Sequence, residues 1–146
     1  MRIYYFLFIL LLGLVSCDKN KQATKKISGE WKLVSYRITI YGGLTEYTSG
    51  TGKWIFDSRS PYNQEYPYEF TYDCQFPSIV KKGQQKGKFK LLSNGKTIEF
   101  TTEDSIGNTT KTENYQVLTH TNDDLELEFV DEQSWYHRYV LKKVKN

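Results

Sequence analysis

The sequence has few of the residues from which metal sites and disulfides are built. Among 146 residues there are two histidines, His120 and His137, and two cysteines, Cys17 and Cys74. The histidines are seventeen positions apart, which is not the close spacing of zinc ligands. Motifs typical of serine hydrolases, P-loop proteins, zinc metalloproteases and CxxC redox proteins are also missing. The sequence therefore predicts no metal site, no cofactor and no enzyme.

Carboxylates are the remaining candidates for acid–base catalysis, and they lie beside turns. The pairs Asp123-Asp124 and Asp131-Glu132 both occur in turn-rich segments. Asp in such segments commonly accepts hydrogen bonds from nearby backbone N–H groups. We interpret both pairs as turn residues, so no catalytic residue is predicted.

A strong excess of one charge is missing as well. Lys and Arg together number 20 and Asp and Glu 17, which gives a formal net charge of +3. No long basic stripe runs along the chain. Proteins that bind nucleic acids usually show such an excess, so we predict no nucleic-acid partner.

The long apolar run at the start of the chain is too short to cross a membrane as a helix. Ile3–Val15 holds thirteen residues, all apolar or aromatic except Gly13, and it follows the positive charge of Arg2. A membrane-spanning helix needs about 20 residues. A shorter apolar run after a basic residue is typical of a secretory signal peptide. The pattern predicts a cleaved signal peptide over residues 1–16.

The end of this run resembles the lipobox of bacterial lipoproteins. Leu14-Val15-Ser16-Cys17 has a leucine, two further residues of which the second is small, and a cysteine. The resemblance implies that Cys17 is acylated and becomes the first residue of the mature chain. Two or three acyl chains hold a protein stably on a bilayer, so the membrane is the partner reached through Cys17. The alternatives are an ordinary signal peptide with a chance cysteine and a short N-terminal anchor helix.

The polar segment that begins at Cys17 is interpreted as a spacer. Residues 18–27, DKNKQATKKI, carry four lysines and show neither a turn signal nor a periodic apolar pattern. We expect a lipidated cysteine and flexible tether over residues 17–27, followed by one domain over residues 28–146. With Cys17 acylated, Cys74 has no disulfide partner and is expected to be a small buried residue.

The domain itself shows alternation of apolar and polar residues. In YPYEFTYDCQF, residues 66–76, one face carries five aromatic residues and a cysteine. The other face carries Pro, Glu, Thr, Asp and Gln. This pattern is typical of a strand with one buried and one solvent-facing side. We predict that the aromatic face lies inside the domain.

The segment GKFKLLSNGKTIEF predicts a β-hairpin around Asn94-Gly95. That dipeptide is favoured in type I′ turns because both central residues need positive φ. A register built on this turn pairs Leu91 with Ile98, Phe89 with Phe100, and Lys90 with Glu99. Apolar pairs therefore share one face and an ion pair occupies the other.

The whole pattern indicates an all-β fold of eight strands. Besides the segments above, the predicted strands span residues 30–41, 53–58, 110–119, 125–130 and 135–143. Short turn-rich pieces separate them. This spacing suggests a sandwich or a barrel, and the consecutive hairpins favour a small antiparallel up-and-down barrel.

The order of the motifs resembles that of bacterial lipocalin-like lipoproteins. SGEWKLVSY, with Gly29 and Trp31, resembles the opening lipocalin strand, and GKFKLLSNGKTIEF, YQVLTHTNDDLELEF and YHRYVLKK resemble later ones. The resemblance covers most of residues 28–143 and implies a lipocalin-like barrel with a lipid anchor. The lipocalin motif T-D-Y-x-x-Y is absent. Arg138 is the candidate for the arginine that covers the tryptophan ring in that family, the alternative being a plain surface arginine.

The resemblance also implies a ligand inside the barrel, with the aromatic face of residues 66–76 as its lining. Tyrosine hydroxyls would supply a few polar groups among apolar walls, the usual make-up of a ligand site. The predicted partner is a small hydrophobic or amphipathic ligand. The predicted ligand-binding residues are Tyr66, Tyr68, Phe70, Tyr72 and Phe76.

The alternative is a filled barrel without a small-molecule ligand. Eight strands enclose room for side chains or for one small ligand, and many other large side chains must also fit inside. Such a barrel would be a structural or protein-interaction lipoprotein with an envelope protein as partner. The turn-rich stretch 57–65 and the loop around Pro77, which are longer than hairpin closure requires, would bind that partner.

The lipobox resemblance places the protein in the bacterial cell envelope, with the outer membrane favoured over the inner one. Asp18 follows the anchor cysteine, and some bacteria use that residue to retain lipoproteins at the inner membrane. Asp104-Ser105-Ile106 resembles a short O-glycosylation motif and lies in a predicted exposed loop.

Overall fold

A computed structural model describes residues 19–40, 43, 45–48, 50–59, 65–75 and 80–145. The predicted signal peptide, the predicted anchor residue Cys17, and Phe76 and Pro77 lie outside these ranges. Within them the chain forms one helix, nine strands and one short 3₁₀ turn. Their bounds are α1 Lys19–Ile27, β1 Gly29–Thr39, β2 Thr45–Thr48, β3 Thr51–Phe56, β4 Tyr66–Gln75, β5 Val80–Leu92, the 3₁₀ turn Ser93–Gly95, β6 Thr97–Glu103, β7 Thr109–His120, β8 Asp124–Val130 and β9 Tyr136–Lys143.

The strands form a closed antiparallel barrel. From β3 to β9 each strand pairs with the next, and β1 pairs with both β3 and β9. β2 also pairs with β1, on the edge away from β9, so β2 and β3 act as one interrupted strand. The predicted eight-stranded up-and-down barrel is confirmed. The β1–β9 ladder, from Trp31 opposite Lys143 to Thr39 opposite Tyr136, closes it.

The predicted hairpin around Asn94-Gly95 is confirmed in register. Leu91 lies opposite Ile98, and the other predicted pairs match as well. Asn94 has φ 58° and ψ 39°, and Gly95 has φ 81°, which is the type I′ geometry. The ammonium nitrogen of Lys90 lies 2.6 Å from a carboxylate oxygen of Glu99 on the outer face.

The strand that leads into this hairpin is longer than the sequence predicts. β5 begins at Val80, and its residues from Val80 to Phe89 pair with β4. Its early part has no apolar face, because Gly83 and Gln85 precede the apolar Phe89 on the inner side. A Cβ on Gly83 would lie 2.7 Å from the Tyr72 hydroxyl oxygen, so the tyrosine covers the glycine in place of a side chain. β2 was also not predicted.

The predicted flexible tether is wrong for residues 19–27, which form α1. One face of this helix carries Asn20, Ala23, Thr24 and Ile27, at the i, i+3, i+4, i+7 spacing of a packed helix. Ile27 is fully buried and Thr24 is 3% exposed. The Asn20 side chain accepts a hydrogen bond of 2.9 Å from the Gly95 N–H. Only two of the four positions are apolar, so the sequence pattern hides the helix.

α1 covers one end of the barrel, which we call the closed end. Its last carbonyl, at Ile27, accepts a hydrogen bond of 2.7 Å from the buried indole of Trp31. The opposite end, where β1, β4, β6 and β8 finish, is called the mouth. Among the helical segments that the structure describes, none has the length and apolar character of a membrane span.

The cation over Trp31 is Lys143 and not Arg138. The Lys143 ammonium lies 4.9 Å from the Trp31 ring centroid and donates hydrogen bonds to the carbonyls of Lys26 and Ser28. Arg138 forms an ion pair of 2.6 Å with Glu126 instead. β9 therefore ends with a lysine that connects the closing β1–β9 ladder to α1.

The closed half of the barrel is filled with side chains. Trp54 stacks on Phe70 with ring centroids 4.3 Å apart, and Phe56 meets Phe89 edge to face at 5.2 Å. Cys74, near the mouth end of β4, is also fully buried, as the sequence predicts, and burial raises the pKa of its thiol to about 11. In the described barrel as a whole, the largest fully buried side chains are Trp31, Trp54, Phe56, Phe89, Phe100, Ile27, Leu33, Ile38, Ile98, Leu125, Leu127 and Leu141.

We predict that Ile27→Ala lowers the free energy of unfolding by about 2–5 kcal/mol, because it leaves a cavity between α1 and the barrel. Lys25→Ala, on the exposed face of the same helix, should change it by no more than about 0.5 kcal/mol. Urea unfolding of a soluble chain that starts at residue 18 measures both values. Equal stability of the two variants would contradict the packing of α1.

Candidate functional site

The mouth holds a small cavity inside the barrel, with a volume of about 180 Å³. Side chains from β1, β4, β5, β7, β8 and β9 line it, together with Asp131 from the loop after β8. Aromatic rings and hydrogen-bonding groups share this lining. The cavity begins where the filled closed half ends, since Phe70 and Tyr139 belong both to its lining and to the rings around Trp54.

A chain of hydrogen bonds runs along one wall of the cavity. The Tyr36 hydroxyl lies 2.6 Å from Nδ1 of His137, and Nε2 of His137 lies 2.8 Å from Oδ2 of Asp131. Because a carboxylate only accepts, Nε2 carries a hydrogen in this arrangement. In the neutral imidazole Nδ1 is then an acceptor, so Tyr36 donates to it. His137 is 2% exposed.

Asp131 joins this chain to the rim of the mouth. Its Oδ1 accepts hydrogen bonds of 2.9 Å from the backbone N–H groups of Gln133 and Trp135. Partial burial alone would raise the pKa of the Asp131 carboxyl. The hydrogen bonds from the Trp135 N–H and from His137 outweigh burial and hold that pKa below its usual value. Asp131 is therefore ionised, and its loop and the cavity wall are ordered together.

The tyrosine hydroxyls in the cavity are held in the neutral form. Burial raises the pKa of Tyr36, and it raises the pKa of Tyr115 and Tyr139 well above the usual value. The hydroxyls of Tyr36 and Tyr139 are hydrogen-bonded to each other, and their rings stack at 4.4 Å. A neutral phenol both donates and accepts hydrogen bonds, so these hydroxyls can bind polar groups.

Two polar side chains are available to a bound molecule. Tyr115 is 3% exposed and lines the cavity, and its hydroxyl has no hydrogen-bond partner among the described residues. Gln85 also lines the cavity and presents both a donor and an acceptor. Nearer the solvent, the Lys111 ammonium lies 2.9 Å from the Glu113 carboxylate.

A third unsatisfied group lies next to the cavity. Trp54 is fully buried, and its indole N–H has no partner in the part of the chain that the structure describes. Its ring contacts Phe70 and Tyr139, which line the cavity, at 4.3 and 5.1 Å. A buried donor without a partner is destabilising by about 1–3 kcal/mol, and native proteins usually supply it with water or a ligand atom.

The predicted ligand-binding residues are divided between the cavity and the filled core. Phe70 and Tyr72 line the cavity. Tyr66 packs on Phe89 at 5.6 Å, and Tyr68 donates or accepts a hydrogen bond of 2.9 Å with Thr102, so both belong to the packed interior. Phe76 lies outside the described residues.

The polar half of the site was not predicted from the sequence. Tyr36 and His137 each lie on the inner face of a strand whose other inner residues are mainly apolar or aromatic. Lys111 and Glu113 precede Tyr115 on the inner face of β7. The sequence of β9 does indicate a buried polar residue, because His137 shares a face with Tyr139 and Leu141. Asp131 was interpreted as a turn residue, which it is, but its second oxygen holds His137.

The remaining candidate groups lie elsewhere. Within the described ranges, no group of three or more His, Cys, Asp or Glu side chains could hold a metal ion. Ser105 is exposed in the loop after β6, where Asp104 accepts hydrogen bonds from the backbone of Ile106 and Asn108. Its glycosylation stays a prediction.

We predict that Asp131→Asn lowers the free energy of unfolding near neutral pH by about 1–3 kcal/mol, because it weakens a buried hydrogen-bond chain. The pKa of Asp131 is lower in the folded chain than in the unfolded one. Its stabilisation is therefore complete above the unfolded value of about 3.9 and is lost as pH falls through the folded value.

Urea unfolding at a series of pH values tests this, with Glu132→Gln in the same loop as the control. In acid, the free energies of unfolding of the wild-type protein and of Glu132→Gln should fall to that of Asp131→Asn. A constant difference between the wild-type protein and Asp131→Asn at every pH would contradict the ionised carboxylate.

No model of a known protein family matches the chain, and no curated protein matches it. Among solved structures it is similar to a redesigned β-barrel, with a TM-score of 0.51 and 18% identity over 84% of this chain and 96% of that one. It is also similar to a de novo designed fluorescence-activating β-barrel, with a TM-score of 0.50 and 15% identity over 84% of this chain and 97% of that one. For bovine odorant-binding protein in complex with a selenium-containing odorant, the TM-score is 0.43 and the identity 12%, over 84% of this chain and 73% of that one. The two designed structures support the closed barrel as the fold.

Proposed function

We propose that this protein is a lipid-anchored lipoprotein of the bacterial cell envelope whose barrel binds one small amphipathic molecule at its mouth. The observation that carries the proposal is the interior cavity, which combines aromatic rings with hydrogen-bonding side chains such as Gln85 and Tyr115. Ligand sites are usually lined mostly by apolar groups with a few polar ones; the accessible lining here is more polar than apolar, which favours a ring that carries polar groups over a purely hydrophobic molecule. The closed barrel keeps the site rigid.

The size of the cavity limits the ligand. Its volume is about 180 Å³, the space of about six water molecules at roughly 30 Å³ each. Sites for drug-sized ligands are larger, about 300–1,000 Å³. The filled closed half leaves no room for a long acyl chain. A molecule of about one aromatic ring with one or two polar groups fits this volume.

The free polar groups define the chemistry of the ligand. Tyr115 and Gln85 can each donate and accept a hydrogen bond, and Trp54 offers a buried donor beside the cavity. The charges of Lys111 and Glu113 are paired with each other, and Asp131 is held by His137 and its own loop. A neutral amphipathic ligand is therefore favoured over an ion.

A filled structural or protein-interaction barrel is the second candidate, because the packed closed half is also what that function requires. The rings around Trp54 leave the mouth as the part of the interior where a ligand fits. In that case water would occupy the cavity and satisfy Tyr115 and Trp54. The following experiment separates the two candidates.

We predict that Gln85→Phe abolishes ligand binding while the barrel still folds, because the larger ring occupies the cavity. Tyr66→Phe, in the packed interior near the closed end, should leave binding unchanged. Thermal unfolding with phenol, indole and related single-ring compounds measures binding, since a ligand at 100 times its Kd stabilises by about 2.7 kcal/mol. A compound that stabilises the Gln85→Phe variant as much as the wild-type protein would contradict the site.

We predict that Cys17→Ser removes the protein from the membrane fraction, because no acyl chain can be attached. Incorporation of radiolabelled palmitate should be lost with it. Cys74→Ser is the matched control and should keep both the label and the membrane association. Retention of Cys17→Ser after an alkaline carbonate wash would contradict the anchor.

A further inference from the structure

We propose that the closed end of the barrel rests on the membrane surface, with the lysines of α1 against anionic lipid headgroups and the mouth directed away from the bilayer. The inference rests on the proposed acylation of Cys17. It goes beyond that proposal because it assigns an orientation, a lipid-contacting surface and the side from which a ligand enters.

The first step is the length of chain between the anchor and the folded domain. Cys17 lies two positions before Lys19, the first residue of α1. Consecutive Cα atoms are 3.8 Å apart, so the Cα atoms of Cys17 and Lys19 lie within about 8 Å of each other in any conformation. A flexible tether of ten residues would have allowed the domain to move tens of ångströms away. This short connection holds it at the surface.

The second step is the attachment of α1 to the barrel. Asn20, at the start of the helix, is hydrogen-bonded to Gly95, and Ile27, at its end, is fully buried. A Cβ added to Gly95 would lie 2.7 Å from the Cβ of Ala23, so the turn and the helix are in close contact. The Lys143 ammonium donates to the Lys26 carbonyl. An anchor at the start of α1 therefore restrains the whole barrel and keeps its closed end nearest the membrane.

The third step is the charge of α1. The helix carries Lys19, Lys21, Lys25 and Lys26, all exposed, and no acidic residue. Anionic headgroups attract such lysines over about a Debye length, roughly 8–10 Å. The anchor places the start of α1 within that distance. Lys25 and Lys26 lie about 9–10 Å further along the helix, at 1.5 Å per residue, and come within the same distance when α1 lies along the surface.

Four acidic residues near the closed end are paired with cations outside α1. Asp57 pairs with Arg59, Asp123 with Lys145, Asp124 with Lys142, and Glu30 with Lys53. The exposed Lys19, Lys25 and Lys26 therefore form a positive surface that these four carboxylates do not neutralise.

The described loops at the mouth are acidic. The loops over residues 104–108 and 131–135 contain Asp104, Asp131 and Glu132 and no Lys or Arg. Lys82 and Lys111, at nearby strand ends, are each paired with a carboxylate, of Asp73 and Glu113 respectively. An anionic membrane would repel this end and attract the other. The anchor and the charge distribution thus favour the same orientation, which leaves the cavity open to the aqueous side.

The test uses the full acylated chain, purified from membranes and reconstituted into vesicles of phosphatidylethanolamine and phosphatidylglycerol. A short pulse of acetylating reagent labels accessible lysines, and mass spectrometry gives the rate at each one. Lys25 and Lys26 should react several-fold more slowly in vesicles than in detergent. Lys82, near the mouth and well exposed, should react at the same rate in both.

Two controls separate the contributions. Vesicles of phosphatidylcholine alone should reduce the protection of Lys25 and Lys26, because the headgroup attraction is lost. A flexible Gly-Ser insertion between Asp18 and Lys19 should reduce it while the protein stays on the membrane. Protection that survives the insertion unchanged would contradict the argument from chain length.

Equal rates for the α1 lysines and Lys82, or protection of Lys82 instead, would overturn the orientation. An alkaline carbonate wash of the same vesicles identifies which proposal has failed. Protein that stays on the vesicles with unprotected α1 lysines overturns the orientation alone. Protein that washes off overturns the anchor and, with it, the orientation.

Discussion

The hydrogen bonds between β1 and β9 enclose a fixed volume, and every inward side chain must share it. In the closed half, Trp31, Trp54, Phe56, Phe89 and Phe100 occupy that volume. Each ring buries a large apolar area, about 150–250 Å², so this packing is the main source of stability. Toward the mouth the inner face of β5 becomes Gly83 and Gln85, and the volume is no longer filled. The cavity is therefore a consequence of where large residues stop along the strands.

The same closure makes the inner polar groups interdependent. Tyr36, on β1, reaches His137, on β9, across the closing ladder, and His137 reaches Asp131. Each of these groups would be destabilising if it were buried alone, and together they are satisfied. Among the described residues, the buried indole N–H of Trp54 and Nε2 of His120 are the exceptions, and of these Trp54 contacts Phe70 and Tyr139, which line the cavity. Unpaired polar groups beside a cavity are the features that distinguish a binding barrel from a filled one.

The sequence predicts the barrel well where one face of a strand is apolar. The register of the hairpin around Asn94-Gly95 follows from turn chemistry and pairing alone. The first half of β5 was missed because its inner side is glycine and glutamine, a pattern that resembles a loop. The helix α1 was missed because its packed face includes two polar residues. The Thr24 hydroxyl donates to the Asn20 carbonyl one turn earlier, and the Asn20 side chain accepts from the distant Gly95 N–H, a contact that cannot be read locally.

The candidate site was predictable only in part, for a related reason. Phe70 and Tyr72 were identified by alternation, but alternation gives no depth along the barrel axis. It therefore could not separate them from Tyr66 and Tyr68, which pack in the interior. The polar wall depends on strands far apart in sequence, since Tyr36 and His137 meet only when β1 and β9 pair.

The most direct test of the ligand site is native mass spectrometry of the protein purified from its own host cells. We predict a mass above that of the denatured chain by one small molecule, and the absence of this excess from the Gln85→Phe variant. A chain without added mass that also takes up none of the added single-ring compounds would contradict the ligand site. The barrel would then be a filled structural or interaction module.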